Sequence, residues 1–247
     1  MQVVIICGGK GSRLKKNYEF TPKALIEFKQ KPNLHYQIDQ LKKNGINDFL
    51  FLTNHLNKKI TNFLKKINLK NCKILSDKHL FGTAGALIDA KKYLKKEFIV
   101  LYSDIFIEFD FKNFIKFARK KNSDCAVVVQ ANSHPHDSDT VEYDRNNIIN
   151  KIIFKSSKNK KINNATASIF YFKKKTIKNV VFKKNSFKDI VRDMLPLFIK
   201  KKHFYAYKTI EYLNDFGTLD RLNDVKYSLK KGNIKNLAFK NKKTAVF

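Results

Sequence analysis

Apolar residues come in short unbroken blocks along the first hundred positions. Residues 3–7 (Val3-Val4-Ile5-Ile6-Cys7), 48–53 and 98–102 each carry such a block, the pattern of strands buried on both faces, and 72–75, interrupted by Lys73, reads as a short strand. Between them the apolar spacing changes. Leu34, Ile38 and Leu41 recur at near-helical intervals over residues 33–44, ahead of a stop at Gly45, and residues 58–67 and 84–94 also read as helices. This β-loop-helix alternation predicts an α/β fold: a doubly wound, mostly parallel sheet with helices on both faces. Such sheets bind ligands at the carboxyl ends of their strands. Gly8, Asp77 and Asp104 all fall just after predicted strands, so one crevice can hold all three.

The second half changes character. Residues 126–130, 140–143, 148–154 and 168–172 are strand-like with few long helices between them, which predicts a mixed sheet carrying a second substrate. Residues 187–198 and 219–229 read as closing helices. No linker, repeat or low-complexity segment divides the first 230 residues. One domain over residues 1–232 and a tail over 233–247 are therefore expected.

The first strand stops at Gly8-Gly9; Gly11, Ser12, Arg13 and Leu14 follow. Glycines let the backbone approach a ligand and turn its N–H groups toward it, and a phosphate is the simplest occupant. The P-loop pattern fails because Lys10 precedes the last glycine and no Gly-Lys-Ser/Thr follows. The dinucleotide pattern fits Gly9 and Gly11 but places Leu14 where its third glycine belongs. A bare glycine cluster is also compatible with a tight strand-to-helix turn. Arg13, and Lys23 within Thr21-Pro22-Lys23-Ala24-Leu25, add two cations beside this one.

Composition narrows the class. A chain of 247 residues with 43% hydrophobic and 13% aromatic content is globular. The net charge of +30 invites a nucleic-acid reading, but the lysines are spread along the whole chain and arginine, the better phosphate and base reader, is scarce. A solvated lysine-rich surface with a general attraction for anionic substrates is the expectation, with no nucleic acid as partner. The apolar runs are far shorter than a membrane span, and no basic flank precedes a long apolar segment as in a secretory signal. Cys7, Cys72 and Cys125 form no metal or disulfide pattern and suit a reducing cytoplasm.

Five segments together resemble the sugar-1-phosphate nucleotidyltransferase family over residues 1–235: Gly-Gly-x-Gly-Ser-Arg-Leu at 8–14, Pro-Lys-Ala-Leu at 22–25, Leu-Phe-Gly-Thr-Ala-Gly-Ala-Leu at 80–87, Ser103-Asp104, and Asn-Asp-Phe-Gly-Thr at 214–218. The resemblance implies the Rossmann-like nucleotide-diphospho-sugar transferase fold. It also implies attack of a sugar 1-phosphate on the α-phosphorus of a nucleoside triphosphate, with Mg2+ as cofactor. Arg13 is then implied at the leaving phosphates and Lys23 at the α-phosphate. Gly8, Gly9, Gly11, Ser12, Asp77, Gly82 and Thr83 are implied in nucleotide binding, and Asp104 and Asp215 as metal ligands. The chemistry needs positioning and charge neutralisation rather than a general base. Taken alone, Asp215 also suits a helix-capping carboxylate. An Asp at position 77 can accept from N1–H and the amino group of guanine, which favours GTP; an exposed loop Asp is the alternative.

Residues 134–142, His-Pro-His-Asp-Ser-Asp-Thr-Val-Glu, resemble the subgroup that makes GDP-D-glycero-α-D-manno-heptose. That resemblance implies D-glycero-α-D-manno-heptose 1-phosphate as acceptor, for cell-surface polysaccharide, with Asp137 and Asp139 near the sugar hydroxyls and Lys155 on the sugar phosphate. The chain departs from the family at Ser103, at Phe154 and Ser156 around Lys155, and at Ala165-Thr166-Ala167-Ser168 in the sugar-side turn. The rivals are a mannose-1-phosphate guanylyltransferase and, from another class, a basic nucleotide- or nucleic-acid-binding protein. The strand-like run at 242–247 is similar to the start of a haloacid-dehalogenase-type phosphatase domain, to which some transferases of this type are fused. A phosphatase of the same pathway is the expected partner.

Overall fold

A computed structural model of the chain describes residues 1–9, 11–14, 18–76, 82–131, 138–154, 164–183, 186–199, 203–232 and 234. The phosphatase-like run at 242–247 lies outside them. The chain opens with β1 (Gln2–Cys7), β2 (Glu27–Phe28), β3 (Lys31–Pro32), α1 (Asn33–Lys43), β4 (Asp48–Thr53), α2 (Asn57–Lys66), β5 (Cys72–Ser76) and α3 (Gly82–Asp89). It continues through β6 (Glu97–Tyr102), β7 (Ile105–Glu108), α4 (Phe111–Lys120), β8 (Cys125–Ala131), β9 (Thr140–Tyr143), β10 (Ile149–Ile153), β11 (Asn164–Lys173) and α5 (Lys174–Lys178). Then come β12 (Phe204–Lys208), β13 (Tyr212–Asp215) and α6 (Leu219–Lys231).

Nine strands form one sheet in the order β10-β9-β11-β6-β1-β4-β5, with β8 also on β11 and β12 on β8. β6, β1, β4 and β5 run parallel, as the apolar blocks predict. β11 joins β6 and β8 antiparallel, so the second half extends the same sheet. The continuous apolar run of β1 has a simple cause. Val3 and Ile5 enter a core on one face, and Val4 and Ile6 a core on the other. Each fully buried side chain of this size contributes about 1.5–3 kcal/mol, so a polar residue in this strand would be costly.

Helices cover both faces. α1, α2 and α4 lie on one through Leu34, Ile38, Leu41, Ile60, Leu64, Phe111 and Phe114. α3 and the segment around residues 190–198 cover the other through Ala84, Leu87, Ile190, Met194 and Leu195. The sequence pattern predicts a regular helix over 187–198. The segment is instead a π-helical turn, Ile190–Met194, followed by a 3-10 turn, Leu195–Phe198. Pro196 lacks an N–H and cannot continue a regular ladder there. The helix predicted over 84–94 likewise ends at Asp89, with a 3-10 turn at Lys91–Tyr93. No described helix is long and apolar enough to cross a membrane.

Among the sheet strands, the chain runs outward from β1 to β4 and β5, then returns to place β6 on the other side of β1. The β1–β6 junction is thus a topological switch point, where the loops leaving two parallel strands diverge and open a crevice. Ser103, just past β6, donates its N–H to the Ile6 carbonyl at 3.1 Å and keeps the two strand ends together.

Candidate active site

The loop after β1 is shaped by its glycines. A Cβ on Gly8 would stand 3.3 Å from the Asn54 Cβ, so this turn packs closely on the end of β4, whereas Gly9 is exposed with open space around it. Gly11 has φ +64°, a left-handed value that glycine adopts without strain. The Leu14 N–H donates to the Gly11 carbonyl at 2.8 Å, which starts the 3-10 turn Ser12–Leu14. Leu14 is buried with Phe216 and Leu222 and anchors the loop against the C-terminal region.

Lys23 lies in a second 3-10 turn, Lys23–Leu25, begun by Pro22. Its stem runs past Gly11, with Cγ 3.5 Å and Cε 3.6 Å from where a Gly11 Cβ would be. Its Nζ donates to Asp104 Oδ2 at 2.8 Å. The glycine loop, Lys23 and Asp104 therefore form one contiguous group.

Two buried amides fix the turn that carries Asp104. Asn33 Nδ2 donates to the carbonyls of Ser103 (2.9 Å) and Ile105 (3.0 Å), and Gln37 Nε2 to those of Tyr102 (3.0 Å) and Ile105 (2.9 Å). Both amides lie on the buried face of α1. A carboxylate at a turn held by these four hydrogen bonds is well pre-organised, which a charge-binding site requires.

Asp215 is distant from Asp104 along the chain but close in space. β13 pairs antiparallel with β7, setting Asp215 opposite Ile105, and the Phe216 N–H donates to the Asp104 carbonyl at 3.0 Å. The two aspartates thus occupy neighbouring positions at one edge. The alternative role for Asp215 as a helix cap does not apply: α6 is capped by Thr218, whose hydroxyl accepts from the Arg221 N–H. Asp215 instead accepts from Arg221 Nη1 at 2.7 and 2.6 Å. The exposed Arg13 also reaches this corner. A Cβ on Gly217 would lie 3.3 Å from Arg13 Nη2 and 3.3 Å from Asp215 Oδ1, so Gly217 leaves room for the guanidinium.

A cleft of about 460 Å³ opens beside Asp215, lined among others by Ser138, Thr166, Ser168, Asn214 and Arg221. Its size suits a small-molecule ligand. The residues that stand in the sugar-side turn, Thr166 and Ser168, face it, and Ser168 has φ +58° at a break in the β11–β8 register. Asp139 is adjacent: its carbonyl accepts from the Thr166 N–H at 3.1 Å, and its carboxylate lies 3.4 Å from Arg192 Nε.

Gly82 and Thr83 sit at the start of α3. A Cβ on Gly82 would fall 2.3 Å from the Lys188 carbonyl oxygen, so only glycine fits. The Thr83 hydroxyl faces inward: it donates to Asp189 Oδ2 at 2.9 Å and accepts from the Tyr102 hydroxyl (3.0 Å) and the Ile190 N–H (2.9 Å). Burial pushes the Tyr102 hydroxyl well above its ordinary pKa, so it stays a neutral donor. Thr83 therefore ties the start of α3 to the 189–194 turn. Asp77, Asp137 and Lys155 lie outside the described residues.

Asn33, Gln37, Asp189 and Arg221 have no counterpart among the sequence candidates. The first two stand on an apolar-periodic helix as isolated amides, the one available hint of a buried polar role. Asp104 and Asp215 fit a magnesium ion by chemistry, since that ion takes one or two carboxylates together with phosphate oxygens and water.

Comparison with known proteins agrees with this architecture. The family described as nucleotidyl transferase matches residues 2–232. The bifunctional protein GlmU of Methanocaldococcus jannaschii is 30% identical over 237 residues, covering 94% of this chain and 55% of its own length. The mannose-1-phosphate guanylyltransferase catalytic subunit beta of Drosophila pseudoobscura pseudoobscura is 29% identical, over 87% of this chain and 59% of its own length. The chain thus spans little more than half of these relatives. Among solved structures, HddC from Yersinia pseudotuberculosis superimposes with a TM-score of 0.78 at 24% identity, over 92% of this chain and 99% of that one. A putative glucose-1-phosphate thymidylyltransferase from Bacillus anthracis gives a TM-score of 0.82 at 20% identity, over 92% and 94%. With a glycine loop at the switch point of a mostly parallel half-sheet and a family match over residues 2–232, the chain belongs to the nucleotidyl transferase family.

Proposed function

We propose that this protein transfers a guanylyl group from GTP to D-glycero-α-D-manno-heptose 1-phosphate, releasing pyrophosphate and forming a GDP-sugar for cell-surface polysaccharide. The observation that carries the proposal is the meeting of three groups at the β1–β6 switch point. They are the glycine loop with Arg13 and Lys23, the adjacent aspartates 104 and 215, and the cleft beside Thr166 and Ser168. Relatives named as mannose-1-phosphate guanyltransferases support the guanine base, and HddC has been solved with GMP-PN. GTP and sugar phosphates are cytoplasmic metabolites, and we place the reaction there.

In this mechanism the attacking oxygen needs no base. A phosphate monoester with a second pKa near 6 is mostly a dianion at neutral pH. The work of the protein is to hold two polyanions in line and offset their charge. Gly8, Gly9 and Gly11 let backbone N–H groups approach the triphosphate, Lys23 faces the α-phosphate and Arg13 the leaving phosphates. Asp104 and Asp215 would hold Mg2+, which supplies charge neutralisation on the phosphates when bound. Asp77 reads the guanine edge; Asp77→Gln should reduce discrimination between GTP and UTP while sparing turnover. Asp137 and Asp139 accept from the sugar hydroxyls, and Lys155 serves the sugar phosphate.

The test is pyrophosphate release with Mg2+, crossing GTP, ATP, CTP and UTP against heptose 1-phosphate and mannose 1-phosphate. Release with GTP and the heptose alone supports the proposal. Equal efficiency with mannose 1-phosphate favours the second reading, a mannose-1-phosphate guanylyltransferase, which several relatives' names support. No release with any pair refutes both.

A further inference from the structure

We propose that the cleft-facing side of α6 reads the far end of the acceptor sugar. Asp224 accepts from the two vicinal hydroxyls of the heptose side chain, at C6 and C7, and the Tyr227 ring covers the apolar face of the sugar. The inference rests on the transferase function proposed above and names the part of the acceptor that selects it. Asp224, Tyr227 and Ser228 all line the cleft beside Asp215 that also holds Thr166 and Ser168. Asp224 and Ser228 are one helical turn apart and so share a face of α6. Another face carries Leu222, Val225 and Leu229 into the core, and Thr218 caps the first turn. Folding thus makes no demand on the polar stripe, whose side chains are open to a ligand: Asp224 is exposed and Ser228 half-buried.

The direction of α6 sets which end of the sugar these residues meet. The acceptor phosphate must reach the α-phosphorus, so it lies by the candidate metal ligands Asp104 and Asp215. α6 starts at that edge, where Arg221 Nη1 is 2.6 Å from Asp215 Oδ2. Each residue advances about 1.5 Å along the axis, which puts Asp224 about 4.5 Å and Ser228 about 10 Å beyond Arg221. An acceptor with its phosphate at Asp215 therefore brings the end remote from C1 to this stripe. Mannose ends there in one hydroxyl; the heptose ends in a vicinal pair. A carboxylate is an acceptor with two oxygens, so it takes a hydrogen bond on each from such a pair but only one from a hexose. Bonds to a charged acceptor are about twice as strong as neutral ones, which makes the difference large enough to select a substrate. Tyr227 is 60% exposed, a large ring left open at the mouth of a polar cleft. Aromatic walls with a few polar groups are the usual make-up of such sites, and the C–H face of a pyranose covers a ring of this kind. Lys231 Nζ stands 5.7 Å from the ring centroid, an exposed contact that a ligand can displace.

Pyrophosphate release with GTP and Mg2+ tests this in Asp224→Ala, Tyr227→Ala and Tyr227→Phe. Lys226→Ala is the control, because Lys226 lies on the same helix but lines a different pocket with Glu27 and Phe28. D224A should cut the heptose-to-mannose ratio of kcat/KM at least about tenfold, chiefly through loss with the heptose. Y227A should raise KM for both sugar phosphates about fivefold and leave their ratio and kcat alone, whereas Y227F and K226A should behave as wild type. All four positions are exposed or retain the ring, so Tm and affinity for a non-hydrolysable GTP analogue should not change. A wild-type heptose preference in D224A overturns the role of Asp224, and so does a loss of GTP-analogue affinity that accounts for the effect. Unchanged KM in Y227A overturns the role of the ring. Should D224A fail to fold, Asp224→Asn decides: it keeps the shape but only one acceptor oxygen, and an unchanged preference in it refutes the reading. A wild-type protein that uses both sugars equally, or neither, defeats the heptose function itself and the diol-reading role with it. A heptose preference that survives in D224A defeats this proposal alone.

Discussion

Gly82 and Gly9 belong to the same candidate nucleotide site, yet alanine at each should act through a different state of the protein. Gly82 has φ +76°, and a Cβ there would lie 2.3 Å from the Lys188 oxygen and 2.9 Å from the Lys188 carbon and nitrogen. Those atoms are backbone. They are held by the Ala84 N–H, 2.9 Å from the same oxygen, and by the Thr83–Asp189 hydrogen bond, so they cannot yield cheaply. A left-handed non-glycine residue costs about 1–2 kcal/mol, and forcing a methyl into packed surroundings about 1–3 kcal/mol more. Gly82→Ala should therefore destabilise by roughly 2–5 kcal/mol, which for a chain of this size lowers Tm by about 4–20 °C. Gly9 is different: φ is not positive and nothing lies within 4 Å of its would-be Cβ. Gly9→Ala should melt with the wild type but bind GTP about tenfold or more weakly, because the methyl stands where the backbone must approach the triphosphate. Circular-dichroism melts and calorimetric GTP titrations separate the two. Wild-type Tm in G82A would show that the Lys188 contact is not the constraint; equal loss of Tm in G9A would show that the loop is structural.

The remaining predictions concern separate parts of the molecule. Asp104→Asn should lower turnover by at least about a hundredfold, in line with loss of a key electrostatic group, and near-normal turnover would remove Asp104 from the site. Burial pushes the Glu97 carboxyl up, but hydrogen bonds from Tyr171 and Arg119 and the charges of Arg119 and Lys173 outweigh it and hold the carboxyl below its ordinary range. A carboxyl depressed on folding contributes stability above its unfolded pKa and loses it as pH falls through the folded one. The difference in urea midpoint between Glu97→Gln and wild type should thus be largest near neutral pH and shrink as the solution is acidified through the carboxylate range; a constant difference would contradict the assignment. Burial, partly offset by a hydrogen bond with Ser103, pushes the Cys7 thiol up to about 12, and burial also raises Cys125. Burial raises the Cys72 thiol too, but Cys72 is only half-buried whereas Cys7 and Cys125 are enclosed, so Ellman's reagent should find only Cys72 in the native protein at mildly alkaline pH, and labelling of Cys7 would refute the packing of β1. Ser168→Gly relieves a left-handed residue and should raise Tm by about 1–3 °C without changing GTP affinity; a fall would show that the hydroxyl holds the turn.

The parallel half of the sheet was legible in the sequence because burial on both faces leaves no room for polar positions. A continuous apolar block of five or six residues is too short for a buried helix and fits a central strand. α4 was equally open to reading. Phe111, Phe114, Ile115 and Ala118 have helical spacing and Asp110 caps the first turn through Asn113, yet it is missing from the sequence expectations. β7 and β13 are another matter. Each has four residues, and their pairing joins Ile105 to Asp215 across a separation that no local pattern reports. That pairing brings the two candidate metal ligands together, so the motifs indicated which carboxylates to examine but not why they meet.

The same limit applies to individual side chains within a motif. Gly82 and Thr83 are adjacent in one segment, but successive residues at a helix start point about 100° apart, so both cannot address one ligand equally. Gly82 is fixed by contact with Lys188, and the Thr83 hydroxyl is turned to Tyr102, Asp189 and Ile190. Thr83 thus holds the start of α3 to the turn whose Arg192 reaches Asp139 beside the cleft. Charge behaves alike. A net charge of +30 advertises affinity for anions in general, whereas which few cations face the candidate carboxylates is decided by the fold. Lys23 was visible because it sits in a motif. Arg221 was not, because its pairing with Asp215 across the capped start of α6 exists only after β7 and β13 have paired.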